Sequence, residues 1–271
     1  MANYLAGIIA AHRAAAEADD RDVDQLVAQA LAAPPTGGFS ASIEARAATG
    51  LAVIAEVKRR SPSRGDLDPS LDPAELAVAY AAGGATCLSV LTDGPSFGGS
   101  PEDLVAAKAA CGLPTLRKDF TVCRADVCDA RLMGADAVLL IVAALSDAEL
   151  VELLGLAAVL GLDALVEVHD ERELARALEA GARLVGVNQR DLRTFSVDHQ
   201  RAEELASRIP AYAVAVAESG VRDAADAARL ADAGFQAVLV GETLLRAANR
   251  SDAVRALAGH PVGRRRATVA P

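Results

Sequence analysis

Glu56, Lys58, Lys118, Glu167 and Asn188 are scattered along the chain but share one setting: each closes an apolar run of strand length. Leu51-Ala-Val-Ile-Ala55 leads into Glu56 and Lys58, Leu116 into Lys118, Leu165 into Glu167, and Gly186 into Asn188. Side chains alternate faces along a strand, so Ile54, Glu56 and Lys58 share a side, as do Leu116, Lys118 and Phe120, and Leu165 with Glu167. An ionised group beside an apolar run is costly unless it is paired or wet. A single such pair reads equally well as a strand-end salt bridge. The recurrence of the pattern at one parity argues for a shared acid–base site. A lysine in a partly dry site can have a lowered pKa and act as acid, base or Schiff-base nucleophile. Glu167 is the second acid–base candidate, Asn188 can orient a substrate, and Arg190 can grip a carboxylate with two prongs. His169 is expected to be a hydrogen bonder at the loop base.

Two further strand ends are different. Glu218-Ser219-Gly220 and Gly241-Glu242-Thr243 each put glycine before a helix start, where backbone N–H groups and the helix dipole suit an anion. Together Ser219, Gly220, Gly241 and Glu242 suggest a phosphate site. The loop Arg59-Arg-Ser-Pro-Ser-Arg-Gly-Asp66 is long and cationic, and is expected to be a mobile lid over an anionic ligand.

The elements that must carry these residues alternate. Strands are expected at 51–58, 86–91, 114–119, 136–142, 163–168, 184–188, 212–217 and 236–240. Helical patterns fall between them, most stopped by glycine. Eight strands alternating with eight helices, the last at 242–248, predict a (β/α)8 TIM barrel over 51–258. A doubly wound sheet would more often show Gly-x-Gly-x-x-Gly after its first strand, and none is present. Residues 1–50 are expected to form an N-terminal helical extension packed on the barrel across a mouth. It holds helices at 2–18 and 23–32 and a third capped by Ser40 or Ser42. The tail 259–271, with its arginine run, is expected to be flexible.

Composition narrows the function classes. With 271 residues and a net charge of −10, the chain supports a large core and disfavours a nucleic-acid partner. No apolar run approaches about 18 residues, so no membrane helix is expected. Cys87, Cys111, Cys123 and Cys128 lack zinc-ligand spacing, so no metal is expected, and without a secretion signal they read as reduced thiols of a cytoplasmic protein. No cofactor motif is present. The residues alone therefore describe a barrel enzyme moving protons on a phosphorylated, carboxylated metabolite. An isomerase, a Schiff-base aldolase using Lys118, and a non-catalytic relative are the alternatives.

Taken in order, Ile54-Ala-Glu-Val-Lys-Arg-Arg-Ser-Pro-Ser63, Leu88-Ser-Val-Leu-Thr-Asp93 with Phe97-Gly-Gly-Ser100, Leu116-Arg-Lys-Asp-Phe120, Leu165-Val-Glu-Val-His169, Gly186-Val-Asn-Gln-Arg-Asp-Leu192 and Ala217-Glu-Ser-Gly220 resemble the indole-3-glycerol-phosphate synthase family of tryptophan biosynthesis. The resemblance implies ring closure of 1-(2-carboxyphenylamino)-1-deoxyribulose 5-phosphate with loss of carbon dioxide and water. It makes Lys118 the general acid, Glu167 the acid–base partner in dehydration, and Lys58 a substrate holder. It has Glu56 and Asn188 position the amine and hydroxyl groups, Arg190 contact the departing carboxylate, and Phe97 and Phe120 flank the aryl ring. Ser61, Ser219, Gly220, Gly241 and Glu242, the last through its backbone, would surround the phosphate. Other tryptophan-pathway enzymes become candidate partners. The chain departs from the family pattern at Thr121–Cys128, at Arg60 and at Glu242.

Overall fold

The computed structural model describes residues 4–62, 64–191 and 196–265. Eight strands close into a parallel barrel. They are β1 (Ala52–Val57), β2 (Cys87–Leu91), β3 (Thr115–Lys118), β4 (Ala137–Ile141), β5 (Asp163–Val168), β6 (Leu184–Asn188), β7 (Val214–Glu218) and β8 (Ala237–Val240). Each pairs with its sequence neighbour, and β8 returns to β1 with Ala52 opposite Ala237 and Ala55 opposite Val240. The expected strands therefore lie in one barrel and begin or end within about two residues of their places.

Strand parity divides the core in two. Val53, Ala55, Val57, Leu88, Val90 and their counterparts face the surrounding helices and form the larger apolar cluster. Ala52, Ile54, Cys87, Leu116, Leu139, Leu165, Leu184, Val214, Val216 and Leu239 point inward and fill the barrel. At the carboxyl end the inward parity passes to Glu56, Lys118, Glu167, Asn188 and Glu218, so the interior changes from apolar to charged along its axis.

The N-terminal extension touches both ends of the barrel. Helix α1 (Tyr4–Glu17) places Leu5 and Ile8 at the upper cavity. Helix α2 (Val23–Ala32), capped by Asp22, runs down beside the helix Arg124–Leu132. Helix α3 (Phe39–Ala47) closes the lower mouth, where Phe39 and Ile43 are fully buried against the inward strand residues. The expected serine cap on α3 is absent: Gly38 holds the cap position in a left-handed conformation without a side-chain bond. Barrel carboxylates take over. Asp136 accepts the Gly37 N–H at 2.5 Å and Asp163 accepts the Ser40 N–H at 2.8 Å.

Two features differ from expectation after β8. The helix expected at 242–248 is a single turn, Glu242–Leu245, and a separate helix, Arg250–Leu257, begins under an Asn249 cap. Tail residues 259–265 are tied to the lower rim. Leu51 N–H donates to the His260 carbonyl at 2.7 Å, Gly263 N–H to that of Ala231 at 2.8 Å, and Arg265 Nη2 to that of Ala213 at 2.6 Å. Residues 266–271, including Arg266 of the arginine run, lie outside the described residues. No helix among the described residues is long and apolar enough to cross a membrane.

Candidate active site

The upper rim of the barrel opens into a cavity of about 420 Å³, within the range of a site for a small metabolite. Glu56, Lys58, Ser61, Phe97, Lys118, Phe120, Glu167, Asn188, Arg190, Ser219, Gly220, Gly241 and Glu242 all line it. Residues far apart in sequence thus converge as strand parity requires.

Lys118 is the hub. Its Nζ lies 3.1 Å from Glu167 Oε2 and 2.5 Å from Glu218 Oε2. Glu56 pairs with Lys58 beside it. Burial disfavours the charge on Lys118, but Glu218, Glu167 and Glu56 outweigh it and raise its pKa above the ordinary lysine value. The lowered lysine pKa that a partly dry site suggests is therefore reversed here, and Lys118 rests as an ammonium. The two glutamates beside it diverge. Burial works against ionising Glu167, yet the Lys118 charge, His169 and Asn188 hold it well below the usual carboxylate range. Burial, aided by Glu167 and Glu56, instead raises Glu218 to about 7 despite Lys118.

Asn188 Nδ2 donates to Glu167 Oε1 at 3.1 Å, and its Oδ1 accepts the Arg190 N–H at 3.0 Å. His169 is a hydrogen bonder at the loop base, as expected. Its Nδ1 lies 3.0 Å from Glu173 Oε2 and its Nε2 3.3 Å from Glu167 Oε1. Desolvation opposes its charge, but Glu167 and Glu173 raise its pKa to about 10.

The aromatic side is formed by Phe97, on the short helix Gly94–Phe97, and Phe120, with ring centroids 6.2 Å apart. On the other side, Ser219 and Gly220 turn the chain with φ of 63° and 75°, exposing successive N–H groups in the manner of an anion-binding nest. Gln189 Nε2 holds the Ser219 carbonyl at 2.7 Å. A Cβ at Gly220 would press on Val197, and one at Gly241 would overlap Glu56 Oε1. Gly241 is thus needed to clear the Glu56 carboxylate as well as to open a helix start. Glu242 turns its carboxylate to Arg246 at 3.1 Å and Arg64 at 3.5 Å, leaving its backbone toward the cavity wall.

The loop expected as a lid is a small antiparallel ribbon, Arg60–Ser61 against Gly65–Asp66. Arg59 pins its base, bonding Asp103 and the Leu71 carbonyl. Ser63 at its tip lies outside the described residues.

Glu218 is the site residue missed as a candidate. Val214 and Val216 share its parity, but the strand was expected to end at 217. A second clue was Gly186, where a Cβ would collide with Glu218 Oε1. Arg64, His199, Arg222 and Arg246 also line the cavity. They lie on loops or helices, where period-two parity says nothing. Among the described residues, one group offers ligating atoms to a metal: His12, Asp93 and Asp119, within 4.8 Å of one another. Its carboxylates already accept bonds from Ser96 N–H and Phe120 N–H.

The indole-3-glycerol phosphate synthase family model matches residues 5–257. The chain is 50% identical over 261 residues to "Indole-3-glycerol phosphate synthase 2" of Streptomyces coelicolor, covering 94% of this chain and 100% of that protein. It is 49% identical over 234 residues to an indole-3-glycerol phosphate synthase of Rhizorhabdus wittichii, covering 86% and 89% of the two chains. Among solved structures, it is similar to thiamine phosphate pyrophosphorylase from Pyrococcus furiosus, with TM-score 0.58, 16% identity and coverage of 76% of this chain and 93% of that one. It is also similar to N-acetylmannosamine-6-phosphate 2-epimerase from Clostridium perfringens, with TM-score 0.57, 15% identity and coverage of 71% and 86%. These two structural likenesses speak to the fold alone.

Proposed function

The chain belongs to the indole-3-glycerol-phosphate synthase family, lyases of tryptophan biosynthesis, and from that premise we propose how its upper rim closes the indole ring. The substrate is 1-(2-carboxyphenylamino)-1-deoxyribulose 5-phosphate. Its phosphate sits at the Ser219-Gly220 turn and the Gly241-Glu242 helix start, with Ser61 alongside. Its aryl ring lies against Phe97 and Phe120, and Arg190 orients the carboxylate.

The aryl carbon bearing the carboxylate attacks the ribulosyl carbonyl carbon, and the carbonyl oxygen takes a proton from the Lys118 ammonium. An ammonium beside a developing alkoxide stabilises the transition state more than the neutral ground state. Carbon dioxide then leaves, and its bonding pair restores the aromatic ring. Dehydration follows. Glu167, held ionised by the Lys118 charge and aimed by Asn188, removes a proton from the carbon bonded to the amine nitrogen. That C–H pair becomes the new ring double bond, and the hydroxyl leaves as water with a proton delivered by the Lys118 ammonium. Glu218, raised to about 7 and 2.5 Å from Lys118 Nζ, is suited to return a proton to that amine. Lys58 and Glu56 hold the substrate amine and hydroxyls.

The observation that carries this account is the Lys118 ammonium gripped by two carboxylates of opposite pKa tendency between an aromatic and an anion-binding wall. A Schiff-base aldolase fits less well, because an amine held in its charged form is a poor nucleophile. The test is direct. The substrate is added and indole fluorescence followed, with borohydride present in a parallel sample. The chain has no tryptophan, so product emission stands clear. Indole without a trapped lysine adduct is expected; a trapped adduct and no indole would overturn the assignment. The free cysteines fit a cytoplasmic setting, and the neighbouring enzymes of the pathway are the partners this chemistry names.

A further inference from the structure

The N-terminal extension meets the aromatic side of the cavity through one imidazole. We propose that His12 is a positioning residue for the aryl clamp, so that its charge sets how tightly the substrate ring is held. His12 Nε2 lies 3.1 Å from Asp93 Oδ1 and 3.9 Å from Asp119 Oδ1. Each of these carboxylates fixes one of the phenylalanines. Asp93 Oδ2 accepts the Ser96 N–H at 2.7 Å and caps the short helix that ends on Phe97. Asp119 Oδ1 accepts the Phe120 N–H at 2.8 Å, while its Oδ2 is held by Arg117 at 3.1 Å and by the Thr92 hydroxyl. The His12 ring itself packs on Phe120, with centroids 5.2 Å apart and planes tilted by 47°.

Helix α1 is therefore fastened at two adjacent residues of different character. Arg13 grips Glu149 at 2.7 and 3.1 Å and the Ala144 carbonyl at 3.0 Å, a permanently charged anchor. His12 is the anchor that titrates. Ile8, four residues earlier and on the same helical face, lines the cavity, so the fastening of α1 and the shape of the aryl side are one mechanical unit. The groups facing His12 are Asp93 and Asp119 from the barrel loops, Asp126 from the helix Arg124–Leu132, and Arg117, which is committed to Asp119. The Asp93 hydrogen bond, with Asp119 and Asp126 behind it, raises the His12 pKa against the effect of burial. The imidazolium is thus kept up to a higher pH than in an exposed histidine. Once it deprotonates, Asp93 and Asp119 face each other without a shared cation, and the seats of Phe97 and Phe120 loosen.

The inference rests on Phe97 and Phe120 being the aryl clamp, and its test separates the two. KM and kcat for the carboxyphenylamino ribulose phosphate are measured from pH 6 to 9.5 in the full chain and in His12→Gln, His12→Lys and Asp93→Asn. His12→Gln keeps a donor near the Nε2 position but no charge. At pH 6.5 its KM should be raised about three- to tenfold, the worth of part of a charge-assisted hydrogen bond, with kcat within about twofold. That difference should vanish as the wild-type KM climbs at high pH. His12→Lys should abolish the climb, and Asp93→Asn, which still accepts from Ser96, should move it to lower pH. Equal KM for wild type and His12→Gln at every pH would overturn the inference, as would a KM that responds to EDTA or added zinc. If the wild type forms no indole, the substrate assignment is what fails. His12 is then judged by NMR of the unliganded protein, where the Phe97 and Phe120 ring resonances should follow the His12 titration; rings that ignore it would refute the role.

Discussion

The two rims of this barrel both bury carboxylates, and they treat them in opposite ways. At the lower rim Asp136 is fully buried and fully satisfied. Its Oδ1 accepts from Gly37 N–H, and its Oδ2 from Lys108 Nζ at 2.7 Å and Thr115 N–H at 2.7 Å. At the same rim Phe39 and Ile43 of α3 close the barrel mouth against the inward strand residues. At the upper rim Glu56, Glu167 and Glu218 crowd around Lys58 and Lys118, Glu218 Oε1 has no hydrogen-bond partner among the described residues, and a cavity opens next to them. A satisfied buried charge holds structure together. A crowded, partly unsatisfied cluster is held in place by the rest of the fold and is suited to proton transfer. The difference assigns stability to one end of the barrel and chemistry to the other.

Changes at each rim should break that contrast in different measurements. Lys118→Ala should lower turnover by about 10²–10⁴-fold, the usual worth of a positioned acid, with the fold retained by circular dichroism; near-normal turnover would remove Lys118 from the mechanism. Asp136→Ala should do the reverse. It leaves the Gly37 and Thr115 N–H groups without their carboxylate and Lys108 with only the Gly134 carbonyl, costing about 2–3 kcal/mol and several degrees in unfolding midpoint, while kcat per folded molecule stays within about twofold. Ser219→Ala is the mildest change. It should raise KM by about tenfold through the lost hydroxyl contact to phosphate and leave kcat nearly unchanged; an unaltered KM would place the phosphate elsewhere.

Much of the upper rim was legible in the sequence because strands report orientation by parity. Glu56, Lys118 and Glu167 each sit two residues beyond an apolar side chain of the same face, and Asn188 four beyond Leu184; a closed parallel barrel leaves such residues one place to meet. Glu218 obeys the same rule but was read into the following loop, since the strand runs one residue past its expected end. The lower rim was harder to read. Asp136 lies at a strand start in Gly134-Ala-Asp-Ala-Val-Leu-Leu, and its partners come from residues 37, 108 and 115, so no local pattern marks it. The α3 cap was misassigned for the same reason: a local serine was expected where distant carboxylates do the work. His12 escaped notice because it lies on a helix, where strand parity is silent, and its partners Asp93 and Asp119 come from distant loops. The tail was expected to be loose, yet Gly263 and Arg265 bond to backbone carbonyls that no sequence pattern brings near.

The contrast between the rims is tested most directly at Glu218, by measuring turnover and unfolding midpoint together for Glu218→Gln at pH 8. The unfolded glutamate gives up its proton near its ordinary value, whereas the folded one keeps it to about 7. The folded state therefore binds more protons between those values, and stability falls as pH rises through that window. Removing the charge should relieve this cost. The account predicts turnover reduced about 100-fold with a midpoint equal to or above that of the wild type. A midpoint several degrees lower with turnover intact would contradict it, making the upper cluster a structural one like that around Asp136.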